Sequence, residues 1–284
     1  MAAFGTVTER FTGLFDALIK SDGGFLNMLN NTAIVPDATR AGAVTTRITT
    51  AVTLQTTTDG TLLANNAART EVALTAFEGA HTISLFEYQL AQFDGAAERA
   101  EVRAFTSAAR VLAETTVIAD LVAGTPGDAQ TLPDGQMNFT TTGTDAQAYI
   151  AVDKLNAAIA YVDVNKAIGG NTFILLNPTS YRKMISLRGT SRLRDDFDRE
   201  GTFWFYLGLP IFKTSVTTNF GAATKAAAFV VHSDAEALAW TDVYLPHEEF
   251  RHYGDGMWKL FMKTYGFAGL IQGSSFAEVL NGAS

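Results

Sequence analysis

Residues 96–123 read AAERAEVRAFTSAARVLAETTVIADLVA, and residue 124 is glycine. Neither Gly nor Pro interrupts the run, and Asp94 stands just before it as a candidate N-cap. Val102, Phe105, Ala109, Leu112, Thr116 and Ala119 fall at alternating three- and four-residue spacings, which predicts one long helix with an apolar seam. Gly124-Thr-Pro126-Gly closes it. At a rise of 1.5 Å per residue such a helix is about 40 Å long, well beyond the usual three turns. It is expected to be a main structural element of the fold.

Working towards the N-terminus, Phe77 to Phe93 alternates through Ile83, Leu85 and the Phe86/Tyr88 pair, reading as a strand that turns at Asp94-Gly95. Before it, Thr39 to Thr75 is threonine-rich and alternating: Val44, Thr46 and Ile48, then Val52 and Leu54, then a polar tip at Thr57-Thr58-Asp59-Gly60. That pattern predicts a hairpin. It has few large apolar residues, and an isolated two-stranded hairpin is marginal in water, so it either docks on a partner or lies on the body of a monomer. Residues 1–38 combine an apolar stripe (Phe11, Phe15, Leu18, Ile19), Gly23-Gly24, and a second short stripe at Phe25, Met28 and Leu29. They read as an arm that packs on the body or on a neighbour.

Towards the C-terminus, a polar loop over 126–144 leads to a second helix from Asp145 to about Lys166, with Tyr149, Val152, Leu155, Ile159 and Val162 on its apolar face. A compact α/β unit follows. Thr172 to Leu176 is a short buried strand, and Asn177-Pro178 caps a helix carrying Tyr181, Met184, Ile185 and Leu187. Further strands are expected near Leu209, after the Phe203-Trp204-Phe205-Tyr206 cluster, and over Ala226 to Val231. Asp242 to Tyr253 and Met257 to Tyr265, joined at Gly254-Asp255-Gly256, predict a second long hairpin.

The chain has 284 residues, 47% apolar and 18% charged, against roughly 25% charged in an average soluble domain. Partners are therefore expected to cover part of its surface. No apolar stretch approaches the roughly 20 residues that span a bilayer, and the N-terminus lacks the basic and apolar regions of a signal peptide. The protein is expected to accumulate where it is made. The absence of cysteine removes disulfides, thiolate nucleophiles and Cys-ligated zinc. A net charge of −8 disfavours a long-range electrostatic grip on nucleic acid.

Few residues suggest chemistry. His247-Glu248-Glu249-Phe250-Arg251-His252 is superficially like a zinc-protease motif, but its histidines are five apart, not four, and the stretch reads as strand. Positions five apart on a strand point to opposite faces. Arg192, Arg194, Asp195, Asp196, Asp198, Arg199 and Glu200 make a dense mixed-charge run that suits either a solvated loop or a subunit boundary where opposite charges fix register. Arg99, Arg103 and Arg110 share one helix face, reading as solvated surface or as a local DNA contact. No phosphate-binding glycine loop occurs. No catalytic residue, cofactor or metal site is expected, and the chain reads as a non-enzyme.

The order of parts, together with several short strings, resembles the tailed-bacteriophage major capsid proteins of the Hong Kong 97 fold family. The strings are Ile83-Ser84-Leu85, Ile118-Ala-Asp-Leu121-Val-Ala-Gly124, Phe173-Ile-Leu-Leu-Asn-Pro178-Thr-Ser-Tyr181, Gly208-Leu209-Pro210-Ile211, Gly266-Phe-Ala-Gly269 and Ser275-Phe276-Ala277. Together they follow one order across nearly the whole chain.

The resemblance implies an α+β capsid fold with an N-terminal arm (1–38), an extended β-hairpin loop (39–75) lying over an adjacent subunit, a peripheral domain with the spine helix (76–124 and 242–284), and an axial α/β domain (125–241). It implies self-assembly through hexamers and pentamers into an icosahedral head enclosing double-stranded DNA, built in the host cytoplasm with no membrane. A separate scaffolding protein and a portal are expected partners, with a decoration protein as a further candidate. Arg47, Asp59, Arg69, Arg194, Asp196 and Arg199 are the expected inter-subunit contacts. Some capsids of this kind are welded by an isopeptide bond from a loop lysine, but residues 39–75 carry only Arg40, Arg47 and Arg69, so a non-covalent shell is expected. The alternatives are an encapsulin-like compartment, a hydrolase using the His247 to His252 region, and another phage structural protein such as a tail-tube subunit.

Overall fold

The computed structural model describes residues 24–31, 44–51, 68–86, 96–132, 145–165, 171–187, 196–200, 203–214, 216, 226–240, 250–252 and 257–281. The strands are β1 (Asn30–Asn31), β2 (Val44–Ala51), β3 (Ala68–Phe86), β4 (Asp128–Thr131), β5 (Thr172–Leu176), β6 (Phe197–Glu200), β7 (Phe203–Tyr206), β8 (Leu209–Lys213), β9 (Ala226–His232), β10 (Glu236–Trp240), β11 (Phe250–His252), β12 (Met257–Leu270) and β13 (Phe276–Leu280). The helices are α1 (Ala96–Ala123), α2 (Asp145–Asn165) and α3 (Pro178–Leu187).

The strands form two sheets. One runs β1-β10-β12-β3-β2, with β11 also on β12; the other runs β4-β13-β9-β5-β8-β7-β6. The chain passes from the second sheet to the first through the short 3-10 turn Ser233–Ala235, and returns through Gly273–Ser275. Thus β10 belongs to the sheet of β12, and β13 to the sheet of β5 and β9.

The seven-stranded sheet is covered on both faces, which explains why Phe173 to Leu176 of β5 and Ala226 to Val231 of β9 are continuous apolar runs instead of alternating. Ile174, Leu176, Ala228, Val230, Ala277 and Val279 share a core with Val152, Leu155, Ile159 and Val162 of α2 and with Met184 of α3. Their strand neighbours Phe173, Leu175, Phe229, Val231 and Phe276 face the other way, into a core with Ala113, Val117, Ile118 and Leu121 of α1. Phe25, Leu26 and Leu29 of the arm and Leu238 and Ala268 of the first sheet complete that second core. Burying a phenylalanine side chain contributes about 1.5–3 kcal/mol, so the second core joins helix, arm and both sheets. Asn177 caps α3 as expected, its Oδ1 accepting from the Ser180 amide at 2.8 Å.

The long helix occupies the predicted span, but its buried face differs from the predicted seam. Phe105 and Ala109 are buried, Leu112 and Thr116 are half-buried, and Ala119 is exposed. Buried positions instead continue from Ala109 through Ala113 and Val117 to Leu121, with Glu114 and Ile118 beside them. Each four-residue step advances about 40° round an ideal helix, so the buried face rotates along α1. The cause is a change of neighbours: α1 packs on β3 and β12, and its C-terminal half also meets the arm and the second sheet.

The extended segment also differs from expectation. The return strand of the first hairpin and the strand predicted from Phe77 are one element, β3: Ala68 to Leu74 pairs with β2 and Thr75 to Phe86 with β12. At about 3.4 Å per residue it is roughly 60 Å long. Gly266 of β12 lies opposite Phe77, and a Cβ there would run into the Phe77 ring. The hairpin tip at 57–60, the Asp94 cap and the turn at 254–256 lie outside the described residues. Of the expected first strand of the C-terminal hairpin, Phe250–His252 is described and pairs with β12.

Candidate functional site

Strand β6 is the outer strand of the seven-stranded sheet, and Asp198, Arg199 and Glu200 on it are exposed. Charged side chains on an outer strand discourage indiscriminate edge pairing. Arg199 lies opposite Trp204, with its guanidinium carbon 5.3 Å from the indole centroid. Such a cation–π contact holds the planar fork in place. Asp196 is half-buried, and its carbonyl accepts from the Leu207 amide at 2.9 Å. Beneath this edge the Tyr206 hydroxyl donates to Asn156 Oδ1 at 2.8 Å, tying β7 to α2. Burial pushes the Tyr206 hydroxyl up to about 12, with Asp196 and Asp153 adding to the effect, so it stays a neutral donor.

The aromatic cluster expected to precede a strand is itself β7, joined to β8 by a two-residue turn at Leu207 (φ 49°) and Gly208 (φ 79°). Two left-handed residues make the primed turn that matches the twist of a hairpin. Leucine is a poor residue for that conformation, and here its side chain is 49% exposed. Phe203, on the same hairpin, is also exposed. The outer edge of this sheet therefore presents two large apolar side chains beside a charged strand.

Of the expected contact residues, Arg47 lies in β2 opposite Glu71, and Arg69 lies in β3 opposite Thr49. The structure thus brings Arg47 and Arg69 to one ribbon and Asp196 and Arg199 to one sheet edge, while Asp59 and Arg194 lie outside the described residues. His252 falls on β11 and His247 outside the described residues. Among the described residues no group of three or more His, Asp or Glu could hold a metal ion, and no helix is long and apolar enough to cross a membrane.

Two polar features join the sheets to α1. Arg110 Nε donates to Glu114 Oε1 at 2.9 Å, and Thr214 Oγ1 donates to Glu114 Oε2 at 2.8 Å while accepting from the Val216 amide at 3.0 Å. This satisfies the buried Glu114 carboxylate from both sides and pins α1 to the end of β8. Arg110, one of three arginines expected on a common surface face, is thereby turned inward, whereas Arg103 is exposed. The second feature is a carboxyl pair, Asp120 on α1 and Glu236 at the start of β10. Asp120 Oδ2 and both Glu236 oxygens are buried without a hydrogen-bond partner of good geometry. Burial, and then the facing Asp120, push Glu236 well above the usual glutamate range; burial also raises Asp120. The sequence marked neither feature as special. The one signal is that Glu236 stands alone in the apolar alternation from Ala235 to Trp240.

No protein-family model and no curated protein sequence matches the chain. Its fold, however, matches solved capsid structures along almost its whole length. The capsid structure of the cyanophage P-SCSP1u is 15% identical, with 90% of this chain and 86% of that one covered and a TM-score of 0.56. The mature capsid of bacteriophage PhiM1 is 12% identical, with 90% and 86% covered and a TM-score of 0.59. A virus-like particle from Pyrococcus furiosus is 12% identical, with 95% and 98% covered and a TM-score of 0.58. The chain has the mixed helix-and-sheet fold of these phage capsid structures, as the order of its parts implied.

Proposed function

We propose that the protein is a major capsid subunit that assembles through hexamers and pentamers into an icosahedral shell enclosing double-stranded DNA. The observation that carries this reading is the near full-length fold match to capsid structures. The paired ribbon of β2 and the first part of β3 adds support. Two strands alone are marginal in water, and laying such a ribbon over a neighbouring subunit supplies the missing surface.

On this reading, residues 1–38 are the arm, 39–75 the extended loop, 76–124 with 242–284 the peripheral domain, and 125–241 the axial domain around capsomer centres. Arg47, Asp59 and Arg69 on the loop, Asp196 and Arg199 at the sheet edge, and Arg194 of the same charged run set register between subunits, where an arginine fork can bind a carboxylate in bidentate fashion. The subunit is structural and not catalytic. It uses a separate scaffolding protein and a portal, accepts a decoration protein where one is present, touches its DNA weakly, and is assembled in the host cytoplasm into the virion.

Electron microscopy of the purified protein, with and without scaffold and over a range of salt, tests the assembly: closed particles or capsomers are expected. A strictly monomeric mass at high concentration under every condition overturns it. The likeness to the Pyrococcus virus-like particle is compatible with a second reading, an encapsulin-like compartment. Nuclease-protected DNA inside the particles supports a capsid, and enclosed protein cargo supports a compartment.

A further inference from the structure

Alternation along the outer strands of the seven-stranded sheet sorts their charges by face. Arg199 is opposite Trp204, Trp204 is opposite Ile211, and Lys213 is opposite Leu176. Directly opposed residues share a face, so all of them lie on the side where Ile211 and Leu176 join the core of α2 and α3. There Lys213 Nζ lies 5.8 Å from the centroid of the Tyr181 ring, as the Arg199 guanidinium lies over Trp204. Burial raises the Tyr181 hydroxyl above its ordinary value and Arg199 opposes the rise, so the two stacks belong to one patch. Both cations are exposed. Asp153 and Asp196 act instead on Tyr206, at the turn end of the hairpin.

Asp198 and Glu200 point the other way. They stand opposite Phe205 and Phe203, and the Phe203 ring meets Phe212, which packs against the core of α1, edge-on at 6.1 Å. Both carboxylates are exposed, as is Phe203. The outer edge of the sheet is therefore a two-sided plate, cationic and aromatic on one face, acidic and apolar on the other. Stacked cations also suit nucleic acid, but a net charge of −8 disfavours it, and matching carboxylates stand on the chain's own opposite face. Opposite sides of one sheet cannot meet within one subunit. A two-fold contact sets a patch against its own copy and brings like charges together, whereas a head-to-tail contact sets one face against the other.

We propose that the cationic face, Arg199 and Lys213 over Trp204 and Tyr181, docks on the acidic face, Asp198 and Glu200 with Phe203, of a second copy of this chain. The proposal rests on the reading of the protein as a shell subunit and gives the contact a polarity. Each subunit meets one neighbour through its cationic face and another through its acidic face, and a series of such contacts closes into a ring.

Two variants reverse one face each: Arg199→Glu with Lys213→Glu, and Asp198→Lys with Glu200→Lys. All four side chains are exposed, so the dissociated subunits are expected to keep the wild-type urea midpoint closely. Each variant alone carries one sign of charge on both faces and is expected to need at least about tenfold more protein to assemble, as read by light scattering and electron microscopy. An equimolar mixture of the two, and a chain carrying all four substitutions, again set opposite charges face to face and are expected to assemble near the wild-type concentration. Loss of assembly in the Arg199/Lys213 variant with none in the Asp198/Glu200 variant gives the cationic face to another acidic partner, such as nucleic acid, and overturns the proposal. Failure of both the mixture and the chain with all four substitutions does the same. Wild type that assembles beside variants that assemble equally well overturns this proposal alone, whereas wild type that stays monomeric throughout overturns it together with the shell reading. Where the Arg199→Glu chain fails to fold, Lys213→Glu alone is mixed with the Asp198/Glu200 variant and judged by the same outcomes.

Discussion

Replacing Glu236 by Gln is expected to stabilise the protein increasingly as pH rises. In the folded chain Glu236 has no solvent exposure, and neither of its oxygens has a well-formed hydrogen bond. Its neighbour Asp120 lies in the last turn of α1, where the negative helix end and the absence of a basic residue also oppose ionisation. Burial and this like charge hold the Glu236 proton well above the value of 4.5 at which an unfolded glutamate releases it. Between those two pH values the folded state binds a proton that the unfolded state has lost. The stability present below pH 4.5 therefore declines by up to about 1.4 kcal/mol per pH unit, until the folded carboxyl itself ionises. Glutamine keeps the shape and removes the titration. Urea midpoints of wild type and Glu236→Gln, compared in one oligomeric state from about pH 4 to pH 8, are expected to diverge from pH 4.5 upward with that slope. Asp120→Asn removes the facing charge and is expected to narrow the window from its upper end. Parallel curves for wild type and Glu236→Gln would refute the reasoning.

Glu114→Ala removes the acceptor for both Arg110 and Thr214 and is expected to cost about 3 kcal/mol in thermal or urea unfolding, with Glu114→Gln costing less. Gly266→Ala forces a methyl group into the Phe77 ring and is expected to destabilise by roughly 1–3 kcal/mol; trimming the ring with Phe77→Leu in the same chain should recover part of that loss. Leu207→Asn suits the left-handed turn and is expected to stabilise the isolated subunit by about 1 kcal/mol; weaker assembly of the same variant identifies the exposed leucine as an interface residue. Mature particles are expected to run on a denaturing gel as one band near 30.5 kDa, and a ladder of covalent multimers overturns the non-covalent shell.

Elements with strong local signals were legible in the sequence. The long helix has no Gly or Pro within it and a glycine after its last turn, and α3 opens on an Asn-Pro cap, so both occupy the expected residues. The rotated face of α1 was not legible, because a seam drawn on one helix carries no information about which neighbour covers each turn. The hairpin of β7 and β8 was missed because Leu207-Gly208 is an uncommon choice for a primed turn. The continuity of β3 was hidden by the change from threonine-rich to aromatic composition near Thr75, since a strand that changes partners also changes its side-chain pattern. Asp196 and Arg199 could be picked out of the charged run, but their shared sheet edge arises from pairings with residues up to Leu209. Asp120 and Glu236 meet across more than 100 positions, a separation at which local pattern says nothing.

One consequence of the uninterrupted β3 strand is mechanical. A ribbon hinged at its root could sway without disturbing the body, but here the residues that change partner, Leu74 and Thr75, are successive links of one hydrogen-bonded strand. Bending it there strains the ladder to β12, and β12 is in turn fastened to β10. A force applied at the far end of the ribbon therefore arrives as torque on the sheet of β3, β12 and β10, and the ribbon acts as a stiff lever and not as a loose flap.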